Sequence, residues 1–148
     1  MKKTILFIGS ITLFSVMVFI AACGSGSSPG ASNAAAGKTI ASGPAGNNLT
    51  ATLSNADGVL RKGKQEFTLT FTEASGKPVD VGSVALNYRM AAMGSMAEMN
   101  TGATFTTTGT PGVYSGKADI EMAGGWQAQI TYEGPAGKGA FSLPVSAK

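Results

Sequence analysis

The sequence predicts an all-β fold, an immunoglobulin-like antiparallel β-sandwich of about seven strands. Three observations predict it: apolar side chains recur at every second position in short runs after residue 48, glycine-bearing turn signals separate the runs, and no stretch of any length carries a helical period. The runs are Leu49-Thr-Ala-Thr-Leu-Ser, Glu66-Phe-Thr-Leu-Thr-Phe-Thr, Val84-Ala-Leu-Asn-Tyr, Val113 to Met122, Trp126-Gln-Ala-Gln-Ile-Thr-Tyr and Ala140-Phe-Ser-Leu-Pro-Val. Turns are expected at Asp57-Gly58, Ser75-Gly76-Lys77-Pro78, Thr110-Pro111-Gly112, Gly124-Gly125 and Gly134-Pro135. The inward set is then Phe67, Leu69, Phe71, Leu86, Tyr88, Ile120, Trp126, Ile130, Phe141 and Leu143.

Ahead of this domain, which occupies 49–148, the chain reads as an address followed by a tether. Lys2 and Lys3 form a positive n-region, and Ile5 to Ala22 run without a charge into small residues, as an export signal does. The ending Ile20-Ala21-Ala22-Cys23 resembles the lipobox of bacterial lipoproteins. That resemblance implies cleavage after residue 22 and attachment of diacylglycerol to the Cys23 thiol. A single acyl chain binds a membrane only marginally, and further chains make the attachment stable. The competing reading is an uncleaved span, since the apolar stretch is at the lower limit of bilayer thickness; the small-small-Cys ending suits processing better. Residues 23–48, rich in Gly, Ser, Ala and Asn, read as a flexible linker with a reach of about 25 to 30 Å. The expected location is extracytoplasmic: the periplasmic side of the outer membrane in a two-membrane cell, because Gly24 rather than an aspartate follows the cysteine, or the outer face of a single plasma membrane.

Charge excludes one class of partner. The formal net charge of +3 includes Lys2 and Lys3, so the processed chain is nearly balanced, and no Lys/Arg block exists that could track a phosphate backbone. Nucleic acid is not an expected partner. Catalysis is not expected either. With no histidine, one cysteine committed to the anchor and no paired carboxylates, the usual acids, bases and nucleophiles are missing.

One stretch exceeds what a plain sandwich needs. Met90, Met93, Met96 and Met99 fall at every third position, and Met122 precedes the next glycine pair. Thioether sulfur is a soft ligand suited to Cu(I) or Ag(I). It needs no deprotonation and so binds equally at acidic pH. A spacing of three gathers sulfurs on one side of a helical turn or curled loop, whereas in a straight strand it alternates faces. The plainer reading is that methionine fills the core or caps one end of the sandwich. Met90 and Met122 are expected in the core; Met93, Met96 and Met99 are expected exposed, where they serve a metal or an adaptable protein contact.

Several short pieces, taken in order, resemble the YtkA-like domain family, which is close to the periplasmic part of FixH-like proteins. They are Gly63-Lys64 with Phe67-Thr-Leu69, Gly76-Lys77-Pro78-Val79, Val84-Ala-Leu86 leading to Met90, Met93-Gly94 and Met96, then Tyr114-Ser-Gly116 and Met122-Ala-Gly124-Gly125-Trp126. The likeness covers 49–145. It implies a sandwich on the outer side of a bacterial membrane, in settings linked to copper handling and oxidase assembly, and it does not imply an enzyme. Family members linked to copper often place a histidine near the methionines. This chain has none, which leaves a methionine-only site or no site.

Trp126 reads first as the large core aromatic of a sandwich, and second as a ring laid against a cation held by nearby sulfurs. Tyr114 is expected packed with its hydroxyl at an edge, and Arg89 is expected as a surface charge. Two functions follow. One is a membrane-anchored module that binds or hands on Cu(I) or Ag(I) through Met90, Met93, Met96, Met99 and Met122. The other is an accessory domain of a membrane transport or oxidase-assembly complex that uses the methionine surface as a protein contact.

Overall fold

The computed structural model describes residues 37–148. The signal segment, Cys23 and the first part of the expected tether lie outside the described residues. The described chain holds nine strands and no helix: β1 (Lys38–Gly46), β2 (Leu49–Asn55), β3 (Gly63–Glu73), β4 (Ser83–Met90), β5 (Met99–Gly102), β6 (Thr104–Thr107), β7 (Val113–Ile120), β8 (Gly124–Gly134) and β9 (Gly137–Ala147). They form two antiparallel sheets, one ordered β1-β2-β3-β7-β6 and the other β5-β4-β8-β9. The expected sandwich is present.

Alternation explains the pairing. Leu53 stands opposite Leu69 and Ala51 opposite Phe71 in the first sheet; Leu86 stands opposite Ile130 and Tyr88 opposite Ala128 in the second. All eight are buried. The two inner faces meet through aromatic rings set edge to face. Phe71 lies 6.3 Å from Phe141, and Phe67 lies 5.9 Å from Tyr88. Such pairs add about 0.5–1.5 kcal/mol beyond burial. Nine of the ten residues expected inward are buried; Phe141 is half-buried and packs against the core from β9.

Three expectations need correction. The linker expected to run through residue 48 gives way to strand, for Lys38–Gly46 pair antiparallel with β2 through a two-residue turn. Asn47 and Asn48 make that turn with φ of 51° and 57°, a conformation asparagine tolerates. Tyr132 then locks it from the opposite sheet, donating to the Ala45 carbonyl at 3.1 Å and accepting from Asn47 Nδ2 at 3.0 Å. Gly124-Gly125 is not a turn but the start of β8, and the run expected through Met122 ends at Ile120, so the connection is Glu121 to Ala123. The glycine at 124 provides space: a Cβ there would lie 2.9 Å from Met90 Cε. Finally, β5 and β6 are four residues each, too short to show a period, and they raise the strand number above seven.

Candidate functional site

The four clustered methionines lie on one β-hairpin. Met90 at the end of β4 stands opposite Met99 at the start of β5. Beyond them the two chains converge again at the tip. The Met93 amide donates to the Met96 carbonyl at 3.1 Å, and the Met96 amide donates to the Met93 carbonyl at 2.9 Å. Gly94 and Ser95 close the turn, with Gly94 at φ 58°, the first-position glycine that a type II′ hairpin requires. The bridge at the tip is separate from the β4–β5 ladder but keeps its register, so the methionines form two cross-strand pairs rather than one cluster.

Pairing decides which sulfurs can meet. Residues directly opposite in a hairpin project to the same side with Cβ atoms about 4.5–5.5 Å apart, whereas three steps along an extended chain reverse the side. Burial follows that rule. Met90 is only 4% exposed and Met99 is half-buried against the core, while Met93 and Met96 are 61% and 40% exposed. The expected helical turn or curled loop is therefore replaced by a hairpin that presents two sulfurs outward. Met99, expected exposed, belongs with the inner pair. Met122 is also half-buried against the core.

Trp126 sits with the inner group. It is 2% exposed, and its indole N–H donates to the Met122 carbonyl at 3.0 Å. Arg89, the residue before Met90, stands opposite Gln127, the residue after Trp126. The position is that of a core aromatic. Tyr114 is buried as expected; its hydroxyl donates to Asp80 Oδ1 at 2.9 Å and accepts from the Val81 amide at 3.1 Å. That contact ties β7 to the loop before β4; the Gly82 amide first, and the Tyr114 hydroxyl after it, hold the Asp80 carboxyl below the usual carboxylate range.

The hairpin carries a brace that the sequence reading passed over. Arg89, a surface charge as expected, places Nη2 at 2.5 Å from Glu98 Oε2, and Asn100 Nδ2 donates to Glu98 Oε1 at 3.0 Å. These bonds, Arg89 first, hold Glu98 down to about 2 from an ordinary 4.5. A carboxyl lowered by folding contributes its support fully above its unfolded value, and that support is lost as pH falls from about 4.5 to about 2. A side-chain NMR titration is expected to find the Glu98 midpoint near the lower figure, with Arg89→Met returning it toward the ordinary one. A midpoint that Arg89→Met leaves unmoved would remove the brace. The clue in the sequence was opposite charges on either side of a methionine hairpin.

Two inner-face hydroxyls went unnoticed. Tyr88 and Thr101 stand opposite each other, and Tyr88 Oη and Thr101 Oγ1 are buried without a hydrogen-bond partner among the described residues. Burial raises the Tyr88 phenol, which stays protonated. Among the described residues no group of three or more His, Cys, Asp or Glu could hold a metal, so the donors the hairpin offers are thioethers. An open cleft of about 550 Å³ at the β5–β6 edge is lined by Lys64, Gln65, Glu66, Gly102, Thr104, Lys117, Ala118 and Asp119, with Glu66 and Lys117 joined in an ion pair.

Fold and hairpin together define a small all-β module tipped by paired methionines. The chain belongs to the YtkA-like family, whose model matches residues 45–131, more than half its length. The match runs from the end of β1 into β8 and takes in all five methionines of the domain and Trp126. Comparison with curated proteins and with solved structures finds no match.

Proposed function

We propose that this chain is an extracytoplasmic accessory module, held at a membrane through lipidated Cys23, that binds or hands on Cu(I) or Ag(I) at Met93 and Met96. The observation that carries the reading is the exposed, backbone-fixed pair. Among the described residues these are the only large apolar side chains left exposed, and they flank a two-residue turn that holds them side by side. Two adjacent thioethers suit a soft monovalent ion. They also leave its remaining coordination open, which favours transfer to a membrane transport or oxidase-assembly partner.

The test is a competition titration of the full chain in detergent with Ag(I), at pH 7 and pH 5. One ion per chain at micromolar affinity or tighter is expected, equal at the two pH values because no donor titrates between them. The double substitution Met93→Ser and Met96→Ser is expected to weaken binding at least about tenfold while shifting stability by less than about 0.5 kcal/mol, since both side chains are in solvent. Affinity weaker than micromolar, or unchanged in the double variant, would remove the metal. The same exposure supports a second reading, a flexible apolar contact for a protein partner. In that case the double variant loses a co-purifying membrane partner although neither form binds Ag(I).

A further inference from the structure

The hairpin sorts its sulfurs by access to solvent as well as by pairing. Met93 and Met96 are 61% and 40% exposed, Met99 and Met122 are half-buried, and Met90 is 4% exposed with its methyl against Gly124. Space around the tip is open, since a Cβ built on Gly94 meets no atom within 4 Å. Thioether oxidation requires the oxidant to reach the sulfur lone pair, so susceptibility follows exposure.

We propose that Met93 and Met96 form a modification site at which a two-electron oxidant of the peroxide class switches off the soft-donor pair; the switch rests on the metal reading above. The sulfur lone pair attacks the terminal peroxide oxygen, an S–O bond forms and the O–O bond breaks. A proton moves to the departing oxygen, which leaves as water. Each sulfur loses two electrons to the peroxide. The sulfoxide is polar and its oxygen is a hard donor, so the pair no longer suits Cu(I) or Ag(I). The backbone bonds between Met93 and Met96 do not involve sulfur, so the hairpin keeps its shape. The same oxygen on Met90 would be buried in the core, which selects against reaction there.

The experiment treats the metal-free full chain with limiting hydrogen peroxide, maps each methionine by mass spectrometry, and then titrates Ag(I). Met93 and Met96 are expected to react at least about tenfold faster than Met90, with Met99 and Met122 between, and the far-ultraviolet circular dichroism unchanged. Ag(I) affinity is expected to fall at least about tenfold and to recover after methionine sulfoxide reductase treatment. Oxidation of Met90 or Met122 as fast as the pair overturns the site. Undiminished Ag(I) binding after oxidation of both residues overturns the switch. If the untreated chain binds no Ag(I), the metal reading fails and the switch with it, while the map still decides the modification site by itself.

Discussion

Trp126→Ala is expected to cost about 3–5 kcal/mol of folding stability, the range for truncating a fully buried aromatic. The indole is 2% exposed, lies opposite Val145 of β9, and bonds the Met122 carbonyl. Truncation opens a cavity in the core and leaves that carbonyl without its donor, so transfer and hydrogen-bond losses act together. In urea the midpoint is expected to fall at unchanged slope, and the thermal midpoint to fall by on the order of 10 °C or more. Trp126→Phe keeps most of the volume and gives up the bond, and is expected to cost about 1–3 kcal/mol. The Phe variant also tests the cation-π reading of Trp126. With Met93 and Met96 projecting outward and Trp126 buried, Ag(I) affinity is expected to be the same in Trp126→Phe as in the parent. A tenfold drop in a folded Phe variant would return the ring to the metal site.

The parts of the fold that were legible in the sequence are those in which one strand face is buried and the other wet. Phe67, Leu69 and Phe71 alternate with Glu66, Thr68 and Thr72 for that reason, and although Thr70 is itself buried, period 2 marks β3. Strand β1 was not legible, because Lys38 to Gly46 carries linker composition, with Pro44 and three glycine or serine positions in nine residues. What makes it a strand is pairing with β2 and the bond from Tyr132 to Ala45, 87 residues away, neither of which leaves a local trace. The methionine stretch failed differently. A spacing of three suits a helical or curled arrangement, although Gly94-Ser95 between two equal residues is itself a hairpin turn pattern. Once the turn is centred there, Met93 faces Met96 and Met90 faces Met99, and the division into an outer and an inner pair follows. The same logic separates the two glycines before Trp126 from a turn: Gly124 is small because Met90 lies on it.

Gly112→Ala and Gly94→Ala are expected to separate the stability of the sandwich from the work of its tip. Both glycines have positive φ, 77° and 58°, so each substitution carries left-handed backbone strain of about 1–2 kcal/mol. Their surroundings differ. A Cβ on Gly112 would lie 2.5 Å from the Val79 carbonyl oxygen and 2.6 Å from its nitrogen, backbone atoms that cannot swing aside. Gly112 and Val79 are both fixed on Phe71, whose amide donates to the Gly112 carbonyl and whose carbonyl accepts from the Val79 amide, each at 2.9 Å. Relieving the clash means breaking one of these bonds at the end of β3, which adds overpacking of about 1–3 kcal/mol. Gly112→Ala should therefore lose about 2–5 kcal/mol in denaturant unfolding, yet bind Ag(I) normally in whatever fraction is folded. At Gly94 a methyl meets open space, so the loss stops at the strain itself. That strain falls on the turn that sets Met93 beside Met96, and Ag(I) affinity is expected to weaken there although the domain stays folded. A Gly94→Ala chain as tight for Ag(I) as the parent would show that the sulfurs do not depend on the turn. Equal destabilisation by the two substitutions would show that the packing of Gly112 against Val79 adds nothing to the strain.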